Sequence, residues 1–174
     1  MQAITDLARN VRLLILDVDG VLTDGRIFIT ASGEELKAFN TLDGHGLRML
    51  QSTGVKLAII TGRAASCVEH RARGLGIEYY YAGIQNKLEA FEQLLAETGL
   101  SAHQCAYMGD DVVDLPVMRR VALAISVPEA PSIVRQHAHY VTGNSCGQGA
   151  VREAAELIMN AQGTYEALLA GYLS

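Results

Sequence analysis

The chain has 174 residues, 49% of them apolar, and 19 acidic residues against 14 basic ones give a net charge of −5. This length suits a single domain with a substantial core, and the acidic balance argues against general nucleic-acid binding, which needs a clustered positive surface. No run of about 18 apolar residues predicts a membrane span, and no secretory signal precedes the first strand-like segment. Three cysteines without CxxC spacing (Cys67, Cys105 and Cys146) indicate neither a disulfide framework nor a zinc site. We therefore expect a cytoplasmic protein.

The first predicted strand, Leu13 to Val18, is a continuous apolar run followed by Asp-Gly. Such a run is typical of a strand buried on both faces of a parallel sheet. Two β-compatible segments follow, at 26–30 and 35–40, and the turn-forming residues 31–34 separate them. The pattern predicts a β-hairpin, at about 26–40, inserted after the first strand.

Helical and strand-like segments then alternate to the end of the chain. The helix predicted over Lys87 to Thr98 has the best-marked ends, with Asn86 as N-cap and Gly99 as stop. The alternation predicts an α/β fold with a doubly wound, Rossmann-like parallel sheet. The other predicted helices cover 44–53, 64–75, a short segment containing Pro116, a segment after Pro131, and 150–160; the other strands cover 56–61, 78–81, 105–108, 122–127 and a short segment at Tyr140.

Polar side chains follow the predicted strands at one edge of this sheet. Asp17 and Asp19 follow the first strand, Thr61 and Arg63 end the second, and Asp110 follows the strand at 105–108. Ligand sites of open α/β sheets lie at the carboxyl ends of the strands. We therefore expect these side chains to share one site.

Their chemistry suits hydrolysis of a phosphate monoester. Asp17 and Asp110 offer the hard oxygen ligands that Mg²⁺ prefers, and the Asp17 carboxylate could attack phosphorus to form an aspartyl-phosphate. Asp19 could protonate the leaving alcohol and then accept a proton from water. Phosphoryl transfer also needs charge stabilisation, which the Thr61 hydroxyl and the Lys87 ammonium could supply.

Asp111 and Asp114 could hold metal waters or Lys87 in place. Each residue taken alone also has a plain structural interpretation. Acidic residues at strand ends are often helix caps, and a lone lysine is usually a solvated surface residue. The ordered set is much harder to obtain by accident.

Four segments in this order resemble the motifs of the haloacid dehalogenase superfamily: DVDGVLTDG (17–25), IITGR (59–63), Asn86-Lys87 and GDDVVD (109–114). The resemblance implies Asp17 as nucleophile and metal ligand, Asp110 as metal ligand, and Asp19 as general acid and base with its backbone carbonyl on Mg²⁺. It also implies Thr61 and Lys87 on the phosphoryl group. Transport ATPases of the superfamily usually carry Thr where this chain has Asp19, which favours a phosphatase.

Segments 33–50, 110–118 and 147–153 resemble the 3-deoxy-D-manno-octulosonate 8-phosphate phosphatase family over nearly the whole chain. This resemblance implies a fold without a separate cap domain, a homotetramer whose subunits partly close each other's sites, and release of phosphate and an eight-carbon sugar acid for lipopolysaccharide synthesis. Family members often carry an aromatic residue where this chain has His45. Besides Asp19 and Lys87, the implied substrate-binding residues are Asn40, Thr41, Leu42, Asp43, Gly44, Arg48, Arg63 and Arg71.

Other functions stay open at this point. A related nine-carbon sugar acid phosphatase would share the motifs, and Arg48 and Arg71 could be ordinary helix-face charges. A receiver-like binding module also combines Asp, Thr and Lys, but receivers place their paired acids first, whereas here they come last. A catalytically silent scaffold would not be expected to keep the whole set.

Two segments are predicted to complete the site by assembly. Ile27, Phe28 and Ile29 put apolar groups on both faces of the hairpin, which predicts a subunit interface. After Gly163, apolar residues fall at helical spacing in the C-terminal tail, about 163–174. The tail is predicted to close over a site, with docking on its own subunit or fraying as alternatives.

Overall fold

The structure is a computed structural model that describes residues 2–173. Over these residues the strands are β1 (Leu13–Leu16), β2 (Phe28–Ile29), β3 (Glu35–Leu36), β4 (Lys56–Ile60), β5 (Tyr79–Tyr81), β6 (Cys105–Met108), β7 (Leu123–Ser126) and β8 (Tyr140–Val141). In this part of the chain, six of them form one parallel sheet in the order β5-β4-β1-β6-β7-β8, and β2 pairs antiparallel with β3. The doubly wound α/β prediction and the hairpin after the first strand are confirmed.

Helices connect these strands. They are α1 (Gln2–Arg9), α2 (Thr41–Ser52), α3 (Ser66–Leu75), α4 (Lys87–Thr98), α5 (Leu115–Met118), α6 (Ser132–Gln136), α7 (Ala150–Ala161) and α8 (Tyr165–Leu173), with 3₁₀ turns at Ala102–Gln104 and Val112–Asp114. Helix α7 packs against α1 and α2. Within residues 2–173, none of the helices has the length and apolar character needed to cross a bilayer.

The centre of the sheet is β1, and all four of its residues are buried. Leu13 pairs with Lys56 of β4 on one side and with Cys105 of β6 on the other. One residue beyond the strand, the amide of Asp17 donates to the carbonyl of Met108 at 3.0 Å. The carboxyl ends of β1, β4 and β6 therefore lie side by side.

Capping side chains decide several helix boundaries. Asn86 accepts from Leu88 N and the helix α4 ends at a left-handed Gly99, so this predicted helix is confirmed at both ends. The helix predicted from Gly44 begins earlier, at Thr41, because Asn40 Oδ1 accepts from Leu42 N at 2.7 Å. The strand predicted to continue to Asn40 is wrong beyond Leu36, because the pairing with β2 ends at Leu36 and Asn40 instead caps α2.

The two ends of the chain form helices against α7. Sequence patterning does not predict α1, a short amphipathic helix that buries Ala8 completely. The C-terminal stripe is helical as predicted, and Tyr165 and Leu168 of α8 pack against the core.

Candidate active site

Asp17 lies at the floor of a cleft at the carboxyl edge of the sheet. It is 7% exposed, and its Oδ1 lies 3.0 Å from Nζ of Lys87, the first residue of α4. Burial, together with the nearby Asp114, raises the pKa of Asp17 to about 6, although Lys87 opposes the rise. Strand β1 and the cap of α4 thus place a carboxylate and an ammonium in direct contact.

Asp114 holds Lys87 from the other side. Its side chain has no exposed surface, and its Oδ1 lies 2.6 Å from Lys87 Nζ. The same oxygen accepts from the hydroxyl of Tyr107, also at 2.6 Å. Oδ2 accepts from the amides of Asp110 and Asp111, at 3.0 and 3.1 Å. Asp114 therefore connects β6, the loop after it and the start of α4.

Asp110 approaches Asp17 across a glycine turn. Gly20 has a φ of +81°, and a Cβ on this residue would lie 2.1 Å from Oδ2 of Asp110. Only glycine both adopts this positive φ readily and leaves room for the Asp110 carboxylate. Burial and the neighbouring carboxylates, with Asp17 first among them, raise the pKa of Asp110 to about 7.

This acidic cluster suits a divalent cation. One carboxylate oxygen each from Asp17, Asp110 and Asp114 lie within 4.8 Å of one another. Asp114 already accepts four hydrogen bonds, so Asp17 and Asp110 have the most free lone pairs. Burial is the main cause of both raised pKa values, and a cation between the two carboxylates would favour their ionised forms. Hard carboxylate oxygens are the ligands that Mg²⁺ prefers. The residues present therefore fit the predicted metal.

Asp19 lies at the mouth of the cleft and faces the hairpin. Its Oδ1 accepts from Nζ of Lys37, and its Oδ2 lies 3.8 Å from Nε of Arg63. Glu35 of β3 bridges the same two cations, at 2.6 Å to Lys37 and 2.7 Å to Arg63. Sequence analysis missed Lys37 and Glu35. The polar-apolar alternation in Glu35-Leu36-Lys37 is the signal that could have revealed a hairpin face turned towards the site.

Thr61 follows β4 at the edge of the same cleft. It is 2% exposed, its amide donates to the Tyr81 carbonyl at 2.9 Å, and its carbonyl accepts from the Ile84 amide at 3.1 Å. These bonds fix the backbone on both sides of the residue. The Thr61 hydroxyl is thereby held beside the cleft that Asp17 and Lys87 also line.

The cleft has a volume of about 430 Å³ and brings together seven of the fifteen predicted site residues. Asp111 is among them, and its carboxylate also accepts from Val112 N at 2.7 Å, as a cap for the turn at 112–114. The predicted residues that line the cleft are Asp17, Asp19, Thr61, Arg63, Lys87, Asp110 and Asp111; those not predicted are Gly25, Gly62, Ile84, Gln85 and Val113.

Four of the remaining predicted substrate residues, Thr41, Gly44, Arg48 and Arg71, line a different cavity, of about 310 Å³. Arg48 donates to the Gly74 carbonyl at 2.6 Å, and Arg71 donates to the Asn40 carbonyl at 3.0 Å. A Cβ on Gly44 would lie 2.3 Å from Nη2 of Arg71 and would displace the guanidinium from this position. The lining residues are Thr41, Gly44, His45, Arg48, His70, Arg71, Gly74 and Leu75. Among residues 2–173, that cavity and the Asp17 cleft share no lining residue.

Asp43 and Leu42 lie in the first turn of α2, but neither residue lines either cavity. Asp43 is 1% exposed, and its carboxylate accepts from the amides of Gly149 and Arg152, at 3.4 and 2.8 Å. Burial raises the pKa of Asp43, and these backbone hydrogen bonds oppose the rise. Asp43 therefore joins α2 to the start of α7, whereas Leu42 is 58% exposed.

The C-terminal helix reaches the second cavity within its own chain. The rings of Tyr172 and His45 meet edge to face at 5.8 Å, and the Tyr172 hydroxyl lies 3.3 Å from Nε2 of His45. This is the docking on its own subunit that sequence analysis left open as an alternative. Closure of a neighbouring site by the tail stays a prediction.

Comparisons with known proteins agree with this geometry. A family model described as a haloacid dehalogenase-like hydrolase matches residues 27–121. The chain is 49% identical over 156 residues to 3-deoxy-D-manno-octulosonate 8-phosphate phosphatase KdsC of Escherichia coli K12, which covers 90% of this chain and 83% of that protein. It is similarly 49% identical over 159 residues to the Yersinia pestis protein of the same name, covering 91% of this chain and 85% of the other.

Solved structures share the fold closely. A probable YrbI family phosphatase from Pseudomonas syringae pv. phaseolicola 1448A superimposes with a TM-score of 0.99 at 49% identity, covering 100% of this chain and 99% of the other. The 3-deoxy-D-manno-octulosonate 8-phosphate phosphatase from Moraxella catarrhalis, solved with magnesium, phosphate and KDO, gives a TM-score of 0.97 at 41% identity over 99% of both chains. The chain belongs to the haloacid dehalogenase-like hydrolases and, among them, to the family of the 3-deoxy-D-manno-octulosonate 8-phosphate phosphatases.

Proposed function

We propose that residues 1–174 form one phosphatase domain that hydrolyses 3-deoxy-D-manno-octulosonate 8-phosphate through an aspartyl-phosphate on Asp17. The observation that carries this proposal is the 3.0 Å contact between Asp17 and Lys87 at the floor of a cleft that Asp19, Thr61 and Asp110 also line. The contact pairs a nucleophile with a cation for the phosphoryl oxygens. We take the identity of the sugar phosphate from the names of the relatives.

The cation we propose for the acidic cluster is Mg²⁺. Asp17 and Asp110 would hold it through carboxylate oxygens, and Asp19 through its backbone carbonyl. When bound, the ion neutralises charge on the phosphoryl group. The magnesium present in the Moraxella catarrhalis structure supports this assignment.

In the first step, a carboxylate oxygen of Asp17 attacks phosphorus, and the bond from phosphorus to the sugar oxygen breaks. Asp19 gives its proton to that oxygen, and the sugar acid leaves as an alcohol. In the second step, Asp19 takes a proton from water as the water oxygen attacks phosphorus. This step releases phosphate and restores the Asp17 carboxylate.

Two further side chains stabilise the negative charge on the phosphoryl group during its transfer. The Thr61 hydroxyl and the Lys87 ammonium donate hydrogen bonds to phosphoryl oxygens. Asp114 keeps Lys87 directed into the cleft from a distance of 2.6 Å. Because Lys87 is 5% exposed and paired on both sides, its position is fixed before substrate binds.

We also propose that a homotetramer completes the sugar site. Arg63 lines the Asp17 cleft, whereas Thr41, Gly44, Arg48 and Arg71 line the second cavity. Assembly would place this second cavity of one subunit against the cleft of another, so that both sets of residues contact one sugar acid. The exposed Phe28, Ile29 and Leu36 of the hairpin would form the interface.

The proposed product suggests a setting for the enzyme. An eight-carbon sugar acid released from its phosphate would serve lipopolysaccharide synthesis, as the family resemblance implies. Cys67, Cys105 and Cys146 are all free thiols, which suits a reducing cytoplasm.

A phosphate-release assay over a panel of sugar phosphates tests the proposal. We expect the eight-carbon substrate to give a higher kcat/KM than hexose 6-phosphates or a nine-carbon sugar acid 9-phosphate. A preference for the nine-carbon compound would assign the related activity instead. Hydrolysis of none of these compounds with Mg²⁺ present would refute the phosphatase assignment.

A further inference from the structure

The hairpin turns a polar face towards the active site of its own chain. Side chains alternate along an extended chain, so Glu35 of β3 and Lys37, the residue after the strand, lie on one side and Leu36 on the other. Leu36 is 54% exposed and pairs across the hairpin with Phe28, which is 51% exposed. The side chain of Lys37, in contrast, has no exposed surface. The hairpin therefore has a polar face directed at the cleft and an apolar face directed at solvent.

The polar face closes a ring of four alternating charges. Lys37 donates to Oδ1 of Asp19 and lies 2.6 Å from Oε1 of Glu35. Arg63 donates to Oε2 of Glu35 at 2.7 Å, and its Nε lies 3.8 Å from Oδ2 of Asp19. Each oxygen of the Asp19 carboxylate therefore faces a cation from a different part of the chain.

A buried ammonium is costly unless it is paired, so Lys37 is held where its two carboxylates are. Hydrogen bonds from Arg63 and Lys37 lower the pKa of Glu35 to about 2, so Glu35 stays ionised at more acidic pH than an ordinary glutamate. Glu35 therefore remains a negative partner for Lys37. Because Lys37 donates to Asp19, its position in turn restricts the orientation of the Asp19 carboxylate.

We propose that Lys37 is a positioning residue that fixes the Asp19 carboxylate towards the leaving oxygen, so that the hairpin serves proton transfer in its own chain. The inference rests on the proposed function, because it takes Asp19 as the proton donor. It adds a role for the hairpin that is separate from an apolar interface with a second copy.

The dependence of kcat/KM on the leaving group tests this role. An alkyl phosphate needs a proton from Asp19 as its alcohol departs, whereas the p-nitrophenolate of p-nitrophenyl phosphate departs without one. Lys37→Met keeps an unbranched side chain, one atom shorter than that of lysine, and removes its charge. We expect it to lower kcat/KM about 10²-fold for the sugar phosphate, and less than about fivefold for p-nitrophenyl phosphate, whose departure bypasses this proton transfer.

Two further variants complete the design. Lys37→Arg should restore most of the activity on the sugar phosphate, because it returns a cation beside Asp19. Lys56→Met removes a lysine from β4 that lies 3.2 Å from the Tyr79 hydroxyl, outside the cleft, and should change neither substrate's kcat/KM. Thermal unfolding and sedimentation of each variant show whether fold and assembly are kept. If Lys37→Met does not fold, Lys37→Gln carries the same expectation with a smaller apolar change.

Equal losses for the two substrates in a folded Lys37→Met protein would overturn the inference, since they would indicate a general disturbance of the site. No loss for either substrate would also overturn it. Wild-type protein that hydrolyses neither compound would instead overturn the proposed function. The two failures are therefore distinguishable.

Discussion

The hydroxyl of Tyr107 donates a hydrogen bond of 2.6 Å to Oδ1 of Asp114. Both residues have no exposed surface, and the same oxygen receives Lys87. Burial, and then the charge of Asp114, raises the pKa of Tyr107 well above its usual value, so the hydroxyl keeps its proton. A residue in the middle of β6 thus shares the anchor that fixes the proposed phosphoryl-binding lysine.

Tyr107→Phe should weaken both stability and catalysis. Removing the hydroxyl takes one of the two side-chain donors to Asp114 Oδ1 found among residues 2–173 and leaves Lys87. Losing such a buried hydrogen bond to a charged group costs about 1.5–3 kcal/mol. Lys87 is then drawn further towards Asp114, so we expect kcat to fall by roughly tenfold, which corresponds to about 1.4 kcal/mol. Urea unfolding and steady-state kinetics measure the two effects. Tyr81→Phe, which removes a hydroxyl bonded to the surface residue Glu97, is the matched control; equal behaviour of the two variants would contradict this role.

Mg²⁺ should stabilise the protein through Asp17 and Asp110. A ligand that binds only the folded state adds about 2.7 kcal/mol at a concentration 100 times its Kd, so Tm should rise with magnesium concentration. Asp110→Asn should abolish the rise because it removes one of the two carboxylates with free lone pairs. Asp6→Asn, in α1, should keep it. An undiminished rise in Asp110→Asn would exclude Asp110 as a ligand.

Glu153 should make stability depend on pH. Its carboxylate accepts from the Tyr140 hydroxyl at 2.6 Å and from the amides of Gly143 and Asn144 at 2.8 and 2.9 Å. Burial raises its pKa, but these bonds outweigh burial and lower the pKa below the ordinary 4.5. The stabilisation is therefore complete above pH 4.5 and is lost as pH falls through the lower folded value.

The free energy of unfolding of Glu153→Gln should accordingly lie about 1–3 kcal/mol below wild type at pH 7. The gap should narrow as pH falls below the ordinary Glu pKa of 4.5 and the wild-type carboxyl gains its proton. Denaturant unfolding from pH 3 to 7 measures this gap. The exposed Glu92 offers the control Glu92→Gln, and a gap that is constant over the whole range would refute the electrostatic origin.

Charged replacements in the hairpin should disrupt assembly. Phe28 and Ile29 are 51% and 71% exposed, and burying two such side chains between subunits would contribute several kcal/mol, at about 1.5–3 kcal/mol each. Phe28→Asp with Ile29→Asp should therefore yield smaller species with lower kcat/KM.

Removal of residues 163–174 should change catalysis or product release while the oligomer persists. Sedimentation with steady-state assays decides both points; a fully active monomer of the hairpin variant would refute assembly-completed catalysis.

The sequence predicts the parts of this molecule that depend on local pattern. Asp17, Thr61 and Asp110 follow buried apolar runs, and parallel strands bring such positions to one edge. The caps Asn86 and Gly99 act within their own helix, so both ends of α4 could be predicted. As predicted, Asp17, Thr61 and Asp110 line one cleft.

The contacts that sequence analysis missed join segments far apart in the chain. Lys37 reaches Asp19, and Asp43 accepts from Arg152 N, over separations that no periodicity reveals. Asp43 is the clearest case: an acidic residue in a predicted sugar-binding segment is buried under the start of α7. The second cavity around Arg71 likewise depends on how α2 packs beside α3.

The most direct test of the account is chemical trapping of the intermediate on Asp17. The protein with Mg²⁺ would be mixed with 3-deoxy-D-manno-octulosonate 8-phosphate, quenched within one turnover and treated with borohydride, which reduces an acyl phosphate to an alcohol. Peptide mass spectrometry should then find homoserine at position 17, and Asp17→Asn should show neither this product nor turnover. Turnover with homoserine at another position, or an Asp17→Asn protein that retains more than a percent or so of wild-type activity, would contradict the account.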